Sequence, residues 1–129
     1  MATYNVHAGH CPQDQGAYGA VGILQESIED RIVKNAVITK LEALGHTVYD
    51  CTCDENTSQN GCLAAIVAKC NSHNVDLDIS IHLNSGRDDY EGDDSTGGTE
   101  VYGYDTGTEE IGSKICEAIS EKLNIRNRG

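Results

Sequence analysis

Three positions in the chain carry side chains suited to hydrolytic chemistry. His10 closes the segment His7-Ala-Gly-His10, Glu26 opens a long helical pattern, and His82 sits in Ile81-His82-Leu-Asn84. A hydrolytic zinc site takes three protein ligands of the His and Glu kind and keeps one position open for water. His10, Glu26 and His82 can supply that set from three separate stretches of chain. Spacing alone does not single them out, because no compact H-E-x-x-H helix motif occurs. Each residue also has a plainer reading: His10 as a loop histidine, Glu26 as a first-turn carboxylate favoured by the helix dipole, His82 as a satisfied surface histidine. Asn84, just past His82, is placed either to orient a ligand or bind substrate, or to cap its loop.

The six cysteines, Cys11, Cys51, Cys53, Cys62, Cys70 and Cys116, offer a second chemistry. Cys51-Thr-Cys53 with Cys62 and Cys70 suggests a structural zinc cluster, but the spacing is C-x-C followed by irregular gaps rather than paired C-x₂-C. Cys70 also shares an apolar helical face with Ile66 and Val67, so these are read as reduced core cysteines. Cys51 and Cys53, two apart at a strand end, point the same way and leave open a local disulfide or a thiol function. The acidic run Arg87-Asp-Asp-Tyr-Glu-Gly-Asp-Asp94 lacks calcium-loop spacing and reads as a solvated rim loop. Gly16, Gly19 and Gly22 lack the G-x-G-x-x-G order of a dinucleotide site.

These residues need elements to position them. Tyr4–His7 is predicted as a first strand, and residues 26–44 as a helix with Ile28, Ile32, Val37, Leu41 and Leu44 on its apolar face and Gly45 just past its end. His46–Cys51 follows as a second strand, residues 62–71 as a helix with Cys62, Leu63, Ile66, Val67 and Cys70 together, and Leu77–Leu83 as a third strand. In that strand Leu77, Ile79, Ile81 and Leu83 alternate with Asp78, Ser80 and His82, which places His82 opposite the apolar set near the strand's carboxyl end. Gly98–Tyr104 reads as a fourth strand. Thr106-Gly-Thr-Glu109 resembles a capping box opening a helix with Ile111, Ile115, Ala118, Ile119 and Leu123 on one face. Strands alternating with helices predict an α/β domain with a twisted, mostly parallel sheet flanked by helices, and such sheets bind ligands at the carboxyl ends of their strands.

Composition sets outer bounds. The 129 residues suit one domain, and 9 basic against 21 acidic residues give a net charge of −12, with no positive field to gather a nucleic acid. No 18-residue apolar run exists to insert into a membrane, and Met1-Ala-Thr-Tyr-Asn5 runs into the first strand without the basic and apolar regions of a secretory signal. Phe and Trp are absent and Tyr is the only aromatic, so the core must be built from Ile, Leu, Val and Ala.

His7-Ala-Gly-His10, Gly22-Ile-Leu-Gln-Glu26 opening a helix that ends Leu44-Gly-His46, Ser80-Ile-His82-Leu-Asn84 and Gly98-Thr-Glu100-Val-Tyr102 occur in that order. Together they resemble the zinc-dependent N-acetylmuramoyl-L-alanine amidases of the third amidase family, most of all the catalytic domains of clostridial phage endolysins. The resemblance covers essentially the whole chain. It implies one Zn2+ held by His10, Glu26 and His82, and a peptidoglycan substrate cut between the muramyl lactyl group and L-alanine. It also implies a bacteriolytic protein that waits in the host cytoplasm before reaching the cell wall.

The resemblance further implies a strand beyond Arg126-Asn-Arg-Gly129 carrying a glutamate that acts as general base. Residues 1–129 are therefore expected to be an N-terminal catalytic domain lacking its last strand and helix and any wall-binding domain. Glu100, Asp78 and the acidic loop 87–94 are the candidates for a substitute base. Two other classes stay open: a non-catalytic module that binds zinc and muropeptide, and a thiol or redox protein using Cys51 and Cys53. General acid–base help is worth about 10²–10⁴ in rate. Turnover of purified walls by this chain is thus expected to fall below that of the same domain extended past Gly129 by about that factor; equal rates in a dye-release assay would overturn the expectation.

Overall fold

The computed structural model describes residues 1–12, 16–55, 57–85 and 97–129. It divides into two compact units, Met1–Ser85 and Gly86–Gly129. The first unit holds strand β1 (Thr3–Ala8), helix α1 (Glu26–Ala43), strand β2 (Thr47–Asp50), helix α2 (Gln59–Cys70) and strand β3 (Leu77–Ile81). The sheet is wholly parallel in the order β2-β1-β3, with Thr3 opposite Thr47 and Tyr4 opposite Leu77. This is the α/β class that the alternating pattern predicts. The chain leaves β1 on one side to form β2 and returns on the other side to form β3, so the sheet order reverses at β1. A parallel sheet opens a crevice at such a reversal, beyond the carboxyl ends of the two strands that flank it.

Side chains alternate along the sheet. Val6 and Ala8 are fully buried on one face of β1. Asn5, also fully buried, points the other way and donates from Nδ2 to the Cys70 carbonyl (3.1 Å) and to Asp78 Oδ1 (2.7 Å). On β3, which ends at Ile81 and not at the expected Leu83, Leu77, Ile79 and Ile81 are half-buried while Asp78 and Ser80 are exposed, and His82 just past its end continues the exposed side. A cluster of Cys11, Cys53, Cys62 and Ile66 forms the core beside the α2 end of the unit, with Ala17, Ala65 and Cys70 against it.

The helices depart from their expected faces. On α1 the buried residues are Glu26, Ser27, Asp30 and Lys34, whereas Ile28, Ile32 and Leu44 are exposed and Val37 and Leu41 half-buried. The spacing explains the inversion: Glu26, Asp30 and Lys34 stand at i, i+4 and i+8, so a helix turned to seat Glu26 inward brings the other two with it. Lys34 Nζ reaches Asp50 Oδ2 at 2.6 Å. Gly45 follows the helix end with φ 85° and donates to the Glu42 carbonyl, as its position predicts. On α2, Cys62 and Ile66 are buried and Cys70 half-buried, but Leu63 and Val67 are exposed.

In the second unit the described residues form one helix, α3 (Thr106–Leu123). The expected fourth strand over Gly98–Tyr104 is not formed. Among the described residues Thr99 makes a single parallel bridge with Asn127: its N–H donates to the Arg126 carbonyl and its carbonyl accepts from the Arg128 N–H, while the Val101 N–H donates to the Gly129 carbonyl, a pairing too short to make a strand. The capping box lies one residue earlier than expected. Asp105 is the N-cap and accepts from the Thr108 N–H (2.9 Å), while Thr108 Oγ1 accepts from the Asp105 N–H (2.8 Å). The buried residues of α3 are Gly112 and Cys116; Ile111, Ile115 and Leu123 are exposed. The acidic run 87–94 falls outside the described residues. Among the described residues, no helix is long and apolar enough to cross a membrane.

Asp30 is the least favourable group in this packing. It is fully buried, and neither carboxylate oxygen accepts a well-formed hydrogen bond among the described residues. Burial pushes its pKa up to about 6, with Arg31 Nη1 at 3.6 Å opposing the shift. The folded protein therefore holds the Asp30 proton more tightly than the unfolded chain. Asp30 is neutral in both states below the unfolded value of 3.8, and its contribution to stability falls as pH rises through about 6. Asp30→Asn should stabilise the protein at pH 7 relative to the parent by on the order of 2 kcal/mol, with no advantage at pH 3. Urea unfolding of both proteins across this range checks the sign.

Candidate metal centre

His10 follows β1 after Gly9, His82 follows β3 directly, and Glu26 is the first residue of α1. The reversal at β1 therefore brings the two histidines to one end of the sheet, where α1 begins. His10 Nε2 lies 3.1 Å from Glu26 Oε2, and His82 Nδ1 lies 3.1 Å from Glu26 Oε1. The imidazole rings meet edge to face with centroids 5.0 Å apart. One donor atom from each of the three residues lies within 4.8 Å of the others. Ligands on a tetrahedral zinc with bonds of about 2.0–2.1 Å stand roughly 3.3 Å apart, so this donor set fits one such ion.

Backbone geometry makes the convergence possible. The Gly9 N–H donates to the Ile81 carbonyl at 2.8 Å, extending the β1–β3 ladder past Ala8 and laying Gly9 against the His82 ring. A Cβ on Gly9 would stand 2.1 Å from His82 Cε1. On the opposite side Gly19, with φ 81°, occupies the space in which a Cβ would meet Glu26 Oε2 at 2.5 Å and His10 Cδ2 at 2.6 Å. His10 itself adopts φ 60°, a left-handed conformation that non-glycine residues seldom take. Arg31 holds it there. Its Nη2 donates to the carbonyls of His10 (3.2 Å) and Cys53 (2.9 Å), and its Nη1 donates to the Ser27 carbonyl (2.8 Å).

The electrostatics favour a charged Glu26. Burial works against the carboxylate, but the N–H groups of Ala20 (2.9 Å) and Leu83 (3.0 Å), with the His10 and His82 rings, outweigh it and hold the pKa below its ordinary value. Side-chain exposure rises from 6% at Glu26 to 28% at His10 and 46% at His82, so the cluster is closed behind and open in front. A buried anion with two imidazoles facing solvent can hold a divalent cation and leave it reachable by a substrate.

The other sequence-derived candidates separate. Asn84 is exposed in the loop after β3, two residues beyond His82. His7 lies on β1 outside the three-residue cluster, and burial lowers its pKa. Asp78 accepts from Asn5, and Glu100, in the second unit, lies 3.3 Å from Arg128 Nη2 and accepts from the Tyr102 hydroxyl. Cys51 and Cys53 do not act as a pair. Cys51 Sγ donates to Asn5 Oδ1, while the Cys53 sulfur joins those of Cys11 and Cys62. Both are buried and burial pushes the Cys51 thiol up, the opposite of the exposed, acidic thiol that redox chemistry needs. Sequence reasoning missed the Arg31 clamp, since an arginine one turn into a helix carries no signal of the carbonyls it will reach.

Comparison with known proteins places this geometry in context. A family model for N-acetylmuramoyl-L-alanine amidase matches residues 5–129. An uncharacterized protein of Clostridium perfringens (strain 13 / Type A) is 39% identical over 116 residues, covering 88% of this chain and 33% of its own length. An uncharacterized 38.4 kDa protein of Clostridium perfringens is 40% identical over 116 residues, covering 88% of this chain and 32% of its own. The chain thus spans about a third of the length of these curated relatives. A family match over nearly the whole chain, with the site residues gathered at one sheet end, leads to one assignment: the chain belongs to the N-acetylmuramoyl-L-alanine amidase family.

Proposed function

We propose that the chain is the zinc-dependent catalytic part of a peptidoglycan hydrolase that cleaves the amide between N-acetylmuramic acid and the L-alanine of the stem peptide. The observation that carries this reading is the convergence of His10, Glu26 and His82 in a chain of the amidase family. Zinc, when bound, supplies Lewis acidity toward the scissile carbonyl and acidifies water. His10 and His82 would hold it as neutral imidazoles, and Glu26 as the anionic ligand already ionised by the Ala20 and Leu83 N–H groups. Asn84, exposed beside His82, is the proposed contact for the stem peptide. Gram-positive walls are polyanionic and the chain carries −12, so wall affinity in a lysin of this kind must come from other residues.

Digestion of purified walls by the protein should expose new N-terminal alanine without new reducing sugar ends; reducing ends without alanine would replace this reading with a glycosidase. His10→Ala or His82→Ala should each remove one zinc ion per chain, measured by metal analysis after dialysis. Unchanged zinc in both variants would dismiss the ligand set. Gly9→Ala, which drives a methyl group into the His82 ring, should weaken zinc binding at this site about 10–100-fold, the scale of errors in ligand orientation. A far-ultraviolet circular dichroism spectrum matching that of the parent would show that the loss is local.

A further inference from the structure

Cys11, Cys53 and Cys62 come from three different segments: the turn after His10, the loop after β2, and the first turn of α2. Their sulfurs all lie within 4.8 Å of one another, and the residues are 0%, 1% and 3% exposed. Cys11 Sγ donates to the Thr57 carbonyl (3.3 Å) and Cys53 Sγ lies 4.0 Å from the Glu55 carbonyl, and the three sulfurs nevertheless converge from three segments. Thiolates on one zinc, at about 2.3 Å each, stand roughly 3.8–4.0 Å apart, so small side-chain rotations within the observed spacing would close the set. The surrounding backbone is fixed on two sides. Cys62 lies in the first turn of α2, at the positive end of the helix dipole. Arg31 is bound to the carbonyls of Cys53 and of His10, the residue before Cys11.

We propose that Cys11, Cys53 and Cys62 form a second metal site, a three-thiolate centre for a thiophilic d10 cation such as Zn2+. Binding exchanges three S–H protons for three metal–sulfur bonds, so one divalent ion leaves the centre with a single negative charge, at the positive end of the α2 dipole. The site is structural. It ties the end of the β1 segment to the β2 loop and to α2, and because Cys11 is bonded directly to His10, it fixes the backbone that presents His10. Soft cations prefer such sulfur sets over the nitrogen and oxygen set of the neighbouring centre.

The proposal does not depend on the amidase reading, and a His10→Ala/His82→Ala variant separates the two. Purified in reductant and exposed to Zn2+, that variant should retain one zinc ion per chain against a competing chelator. Loaded with Cd2+, it should show thiolate-to-metal charge-transfer absorption in the near ultraviolet. Adding Cys53→Ser should abolish both signals. If that triple variant fails to fold, Cys62→Ser in the same double-variant background gives the second reading, since loss of the Cd2+ band there ties it to this cluster and not to Cys51, Cys70 or Cys116. Absence of retained zinc, or bound Cd2+ without the thiolate band, would overturn the proposal. So would a disulfide joining any two of the three cysteines in protein purified without reductant. Retention of Cu+ in place of Zn2+ with the same Cys53 dependence would support the site and identify the softer ion as its occupant.

Discussion

A carboxylate taken almost wholly out of water must be surrounded by donors, and the arrangement around Glu26 follows from that requirement. Its two oxygens receive N–H groups from Ala20 and Leu83 and face His10 and His82, so four separate stretches of backbone are referenced to one side chain. The loop before α1, the start of α1, the turn after β1 and the end of β3 are all held by it. Because a helix repeats every 3.6 residues, aiming Glu26 inward also brings Asp30 and Lys34 inward. The first half of α1 therefore packs through polar groups where an ordinary amphipathic helix would use Ile28 and Ile32.

That packing is maintained against local preference. Asp30 is buried with its charge disfavoured, and His10 takes a left-handed backbone that a histidine adopts at a cost of about 1–2 kcal/mol. Both lie within reach of Arg31, whose guanidinium serves the Asp30 carboxylate and the carbonyls of His10, Ser27 and Cys53. Strain kept beside a cluster of histidines and a carboxylate is characteristic of sites whose geometry is set by surrounding structure. The three-cysteine cluster next to His10 adds a further constraint on the same turn.

Much of the fold was legible in the sequence where a single period governed it. The alternation over Leu77–Leu83 predicted both the strand, which ends two residues earlier at Ile81, and the exposed side of His82, and Gly45 marked the end of α1, because these depend on local backbone geometry. Less legible were features set by remote partners. Residues 98–104 look like a strand by composition, yet among the described residues their pairing is one short parallel bridge to residues 126–129, which does not extend into a strand. Cys51 and Cys53 look like a pair, yet their sulfurs go to different neighbours. The buried face of α1 departs from the periodic expectation because hydrophobic periodicity assumes that apolar groups choose the inward face, and here the Glu26 carboxylate, satisfied by the Ala20 and Leu83 N–H groups, takes it.

The sequence by itself determined the α/β class, the order of its elements and the residue types available for hydrolytic chemistry, since these follow from local periodicity and from which side chains the chain contains. Tertiary structure alone decided that His10, Glu26 and His82 share one point in space and that Cys11, Cys53 and Cys62 share another. Each set joins residues separated by up to tens of positions. Their meeting depends on where the sheet order reverses and on the close backbone approach that Gly9 and Gly19 permit, neither of which is written in the spacing of the residues themselves.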